Sequence, residues 1–119
     1  MGRKQAPLTQ TEVRRLALSL PEAHEASHMG TPDLRVRNKI FATLPAAGFT
    51  VNLKTLPENL DALVRSDPAT YQDVWGGRWV GVQLAHVPAD ALGELLVDAW
   101  RLAAPKALVR AYDASRARG

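Results

Sequence analysis

The segment His24-Glu25-Ala26-Ser27-His28 carries the most specific chemical spelling in this chain of 119 residues. Two histidines one helical turn apart, with a glutamate between them, bind zinc while the carboxylate acts as general base. That chemistry needs a helix through the motif and a third protein ligand. Pro21 stands just before the segment and Gly30 and Pro32 just after it, leaving about two helical turns, and His86 is the only other histidine. The spacing therefore predicts an accidental match on a surface segment. No Gly-x-Ser-x-Gly elbow is present, and Gly76-Gly77 lacks the spacing of either nucleotide fingerprint. The chain has no cysteine, which removes disulfides and thiolate chemistry. The expectation is a protein that is not an enzyme, with no catalytic residue, no metal and no cofactor.

Basic and planar side chains offer a different chemistry. Arg35, Arg37, Lys39 and Lys54 could neutralise phosphates, Asn52 could hydrogen-bond base edges or sugars, and Trp79 offers a flat surface for an unstacked base. The bland alternative is an ordinary charged sheet surface, with Trp79 partly in the core.

Strand alternation has to bring these groups together. Leu34 and Val36 alternate with Arg35 and Arg37, Asn38-Lys39 can form a tight turn, and Ile40 to Leu44 return as a partner strand. Phe49, Val51 and Leu53 alternate with Thr50, Asn52 and Lys54, and Val80, Val82 and Leu84 with Trp79, Gly81 and Gln83. The core side takes Leu34, Val36, Phe41, Val51, Leu53, Val80, Val82 and Leu84. The opposite face collects Arg35, Arg37, Thr50, Asn52, Lys54, Trp79 and Gln83.

Helices frame these strands. Thr9 to Glu12 fits a capping box before a helix ending near Leu20, and Thr55 to Glu58 fits a second one, with Pro57 in the first turn of a short helix closed by Asp67-Pro68. A long helix follows Pro88, with Leu92, Leu95, Leu96, Ala99, Leu102 and Ala103 on one face, and Pro105 bends or restarts it. The pattern predicts an α+β fold: an antiparallel sheet of about five strands with helices at both chain ends packed on one face. One domain is expected over residues 8–113, with basic flexible tails at 1–7 and 114–119.

Apolar residues make up 46% of the chain and charged residues 23%, a globular composition rather than a disordered one. The net charge of +3 is unevenly spread, with cations at Arg3, Lys4, Arg14 and Arg15 and acids along Glu58 to Asp73 and Asp90 to Asp98. No apolar run is long enough to span a bilayer and no signal-type stretch follows the N-terminus, so no membrane partner and a cytoplasmic location are expected.

The segments Val51-Asn52-Leu53-Lys54, Arg78-Trp79-Val80 and Ala99-Trp100-Arg101-Leu102-Ala103-Ala104-Pro105-Lys106, with Leu18-Ser19-Leu20-Pro21 near the start, resemble the MmcQ/YjbR family. The resemblance runs from about Leu8 to Tyr112 and contains no catalytic signature. It implies a compact α+β "double-wing" fold and DNA binding, with Asn52, Lys54, Trp79 and Lys106 at positions that match the pattern. Leu56 departs from it where Ser or Thr is usual before Pro57, and the segment from Tyr71 to Gly77 is short. Residues and resemblance together predict a non-enzymatic nucleic-acid-binding protein acting through Arg35, Arg37, Lys39, Asn52, Lys54, Trp79 and Lys106. The alternative is a module for a small acidic ligand or a protein partner, with a cleft around Lys54, Trp79 and Lys106.

Overall fold

The structure is a computed structural model that describes residues 7–118. Arg3 and Lys4, and most of the 1–7 tail, lie outside the described residues. The elements in chain order are α1 (Gln10–Leu18), β1 (Ala23–His28), β2 (Thr31–Val36), β3 (Lys39–Thr43), β4 (Thr50–Lys54), α2 (Pro57–Ser66), β5 (Tyr71–Asp73), β6 (Trp79–Gln83), α3 (Ala89–Ala103) and α4 (Lys106–Arg118). The fold is α+β. Six strands form one antiparallel sheet in the order β1-β2-β3-β4-β6-β5.

Alternation decides the two faces. All eight residues that the period-two pattern assigns to the core are buried, each at 2% exposure or less. Helices α1 and α3 pack on that side, α3 against β2, β3 and β4. Pairing places His24, Ala26, Thr31, Asp33, Arg35, Ile40, Thr43, Thr50, Asn52, Lys54, Gln72, Trp79, Gly81 and Gln83 on the other, open face. Trp100, in the last turn of α3, is fully buried, and its indole Nε1–H donates to the Pro21 carbonyl at 3.0 Å.

Several local expectations are corrected. The hairpin turn is Arg37-Asn38, not Asn38-Lys39: both residues have positive φ (49° and 68°), the two-residue turn whose twist matches that of the strands. Arg37 therefore sits at the turn and not on the strand face. Register slips by one between Leu34 and Arg35, and this bulge lets Phe41 and Ala42 both be buried in succession. Phe49 precedes β4 and is 73% exposed.

Thr9 is the N-cap of α1 but makes no side-chain cap bond, and Glu12 pairs with Arg15 instead. Leu56, not Thr55, caps α2; Thr55 is buried and its N–H donates to the Arg78 carbonyl. At Pro105 the chain leaves the helix and restarts: Ala104 is extended, and the Pro105 carbonyl accepts from Val109 in the first turn of α4. Helix α4 then runs on to Arg118, past residue 113. No described helix is long and apolar enough to cross a membrane.

Candidate binding surface on the open face of the sheet

The zinc-like spelling lies in a strand. In β1, His24 and His28 share a face but stand four residues apart along an extended chain, about 13 Å, and Glu25 points the other way to an ion pair with Arg14 at 3.0 Å. Among the described residues no group of three or more His, Asp or Glu could hold a metal ion.

Charge pairing reshapes the expected basic face. Asp33, two residues before Arg35 on the same face of β2, is fully buried and accepts two hydrogen bonds from the guanidinium, at 2.7 and 3.1 Å. Arg35 also donates to the Ser27 carbonyl of β1. This fork raises the Arg35 pKa above its already high ordinary value. Arg37 pairs with Glu22 in the same forked way, and the hydrogen bond from Arg37 holds the Glu22 carboxyl below the usual range. Lys39 is exposed beside the hairpin turn. Lys106 opens α4 in the helical layer and lines none of the concavities that contain Lys54 or Trp75.

What the fold does bring together is Lys54, Trp79 and Trp75. Lys54 and Trp79 are register partners on β4 and β6, and the ammonium lies 5.9 Å from the indole centroid. Trp75 meets Trp79 edge-on, with centroids 5.4 Å apart and an angle of 72° between planes. Trp79 is half-buried, whereas Trp75 is 56% exposed. The sequence reading missed Trp75 because it precedes Gly76-Gly77 and reads as part of a turn.

That turn is a clasp. One oxygen of Asp73 accepts the N–H groups of Gly76 and Gly77, each at 3.0 Å, and both glycines have positive φ. The returning chain lays Val74 directly over Gly81, where any Cβ would come within 2.6 Å of Val74 Cγ1. Glycine at 81 thus permits the close approach that carries Trp75 across the open face.

Beside Trp75 the open face sinks into a concavity of about 550 Å³, with Met29, Ile40, Pro45 and Trp75 among its walls and Thr43 and Asn52 in its floor. The Asn52 amide donates to Thr43 Oγ1 at 3.1 Å. Met29 and Gly30 form the two-residue turn of the β1–β2 hairpin, both at positive φ, and Met29 is 92% exposed. A second groove, about 330 Å³, lies between α2, α3 and the ends of β4 and β6. It holds Lys54 but also Glu94 and Asp98, and neither Trp79 nor Lys106 lines it.

The YjbR family model matches residues 18–102, from the end of α1 nearly to the end of α3. The chain belongs to the YjbR family. Among solved structures, this YjbR protein is similar to the Deinococcus radiodurans protein DR2400, which carries a DUF419 domain, with a TM-score of 0.72 and 24% identity over 84% of this chain and 81% of that one. It is also similar to a protein from Pseudomonas syringae, with a TM-score of 0.64 and 15% identity over 81% of this chain and 99% of that one. At these identities the likeness carries the YjbR fold alone. No curated protein matches the chain.

Proposed function

We propose that this YjbR protein is a non-enzymatic binding module that takes single-stranded nucleic acid, DNA in the first instance, on the open face of its sheet. The observation that carries this reading is the Lys54–Trp79–Trp75 ladder on a face where the carboxylate that strand register places there, Asp33, is neutralised by Arg35. Planar rings stack with unpaired bases, Lys54 meets a phosphate, and Asn52 and the hydrogen-bonded pair Gln72 and Gln83 add amides along the same face. On the helical side the groove between α2 and α3 is acidic, with Glu94 and Asp98 among its walls, and disfavours a phosphate there.

The ion pairs argue against a phosphate clamp on duplex. With Arg35 and Arg37 each held by a carboxylate, and Lys39 the register partner of core-facing Val36, Lys54 remains as the phosphate partner on the face. One contact on a single strand corresponds to a slope of log K against log salt of about −0.7, well short of a duplex-binding protein. A small acidic ligand in the α2–α3 groove fares worse, because Glu94 and Asp98 share that groove with Lys54.

Anisotropy titrations of labelled single-stranded and duplex DNA across a salt series test the reading. The expected result is preference for the single strand and a shallow slope that falls by about 0.7 in Lys54→Ala. Absence of binding at low salt, or preference for duplex with a steep slope, overturns it.

A further inference from the structure

We infer that the concavity between Met29 and Trp75 is a base pocket: it takes one unstacked nucleobase of the bound strand, with Trp75 as its stacking platform and Trp79 as the support behind it. The inference rests on the single-strand reading above and adds which side chains hold the base.

Three observations converge on this place. First, Trp79 is half-buried and already in contact with Lys54 and Trp75, whereas Trp75 keeps more than half its surface open to solvent. An exposed indole costs hydration free energy, yet here it is fixed by the Asp73 clasp, two positive-φ glycines and the close seat of Val74 on Gly81. Second, Met29 takes a left-handed backbone conformation, uncommon for a long apolar side chain, and is almost fully exposed at the other end of the same concavity. Third, the two walls come from opposite ends of the strand order, and the surface between them is mixed, with Thr43 and Asn52 beside apolar Ile40 and Pro45 and with Arg35-paired Asp33.

A nucleobase matches these features. Its faces are apolar and polarisable, suited to an indole on one side and a thioether on the other. Its edge carries donors and acceptors for an amide and a hydroxyl. Charge complements it as well: Lys54 lies next to the tryptophan pair for the adjoining phosphate, exposed His28 stands at the concavity, and Arg35 neutralises Asp33 beneath it. The volume is within the range of small-ligand pockets.

The test compares a ten-nucleotide oligodeoxythymidylate with an abasic sugar–phosphate oligomer of equal length, using the full chain, Trp75→Ala and Met29→Ala. Both side chains are exposed, so each variant is expected to keep the wild-type circular dichroism and melting curve. The expected result is that wild type prefers the base-bearing oligomer, and that Trp75→Ala weakens it by on the order of 10- to 100-fold while leaving the abasic oligomer unchanged. Met29→Ala weakens the base-bearing oligomer by a smaller factor. If both variants bind it within twofold of wild type while wild type still discriminates against the abasic oligomer, the strand lies on the face but the base pocket is overturned. If wild type binds neither oligomer, the single-strand reading itself falls and takes the pocket with it.

Discussion

A cation recruited for polyanion binding has to be free of carboxylates, and by that criterion Arg35 and Arg37 separate from Lys54. Arg35 is held by buried Asp33 and Arg37 by Glu22, whereas Lys54 faces an indole. The pairing of exposed Arg37 with Glu22 has a measurable consequence. The hydrogen bond from Arg37, with the attraction of its charge, lowers the Glu22 pKa. A carboxylate depressed in the folded state adds stability above its unfolded pKa and loses it as pH falls through the folded one, so this contribution fades below about pH 4. Carboxyl-resolved NMR titration should therefore show Glu22 moving up to the ordinary glutamate range in Arg37→Ala; an unchanged midpoint would refute the pairing in solution. Asp113 should respond in the same direction in Arg101→Ala, since the hydrogen bond from Arg101 holds its carboxyl low.

Elements decide what a motif means. The zinc spelling from His24 to His28 carries chemistry only when a helical turn brings both imidazoles to one ion, and β1 spreads them along an extended chain. Zinc added to the apo chain is accordingly expected to leave its melting temperature unchanged, and a saturable stabilisation at one equivalent would contradict the strand geometry. The loop between β5 and β6 makes the complementary case. Its placement depends on Gly81, and Gly81→Ala should cost about 1–3 kcal/mol in urea denaturation, because Val74 must shift from its seat. The same variant should raise the exposure of Trp75 to acrylamide quenching. Of these two features the sequence made the absence of a helix through the histidines legible, from the prolines and glycine around them, though not the strand that replaces it. It hid the clasp, because Gly76-Gly77 marks a turn without saying where the turned chain lies.

Across the whole molecule, helices and sheet divide the labour. One face of the sheet and the helical layer make the core, anchored where buried Trp100 ties α3 to the Pro21 carbonyl ahead of β1. Trp100→Ala is expected to destabilise by about 3–5 kcal/mol by denaturant unfolding, from the cavity it opens and the carbonyl it leaves unpaired. A loss below about 1 kcal/mol would mean that the site collapses freely. The other face has no helices packed on it, and its charges differ from those of α2 and α3: those two helices carry Glu58, Asp61, Asp90, Glu94 and Asp98 against Arg65 and Arg101, while on the open face Asp33 is compensated by Arg35.

The sequence by itself determined the class of fold and the identity of the core. Period-two alternation is a local property, and each strand declares which side chains turn inward whatever it pairs with; Leu34, Val36, Val51, Leu53, Val80 and Val82 are buried for that reason. The Asp33–Arg35 pair was also within its reach, since two residues apart on a strand means one face. Only the tertiary structure decided the rest. Glu22 meets Arg37 because β1 and β2 pair, Trp75 meets Trp79 because the chain after β5 folds back over Gly81, and Met29 shares a concavity with Trp75 because the sheet sets its two ends around one hollow. Such contacts depend on strand order and register, which free energy fixes over the whole sheet at once and no short stretch of residues encodes.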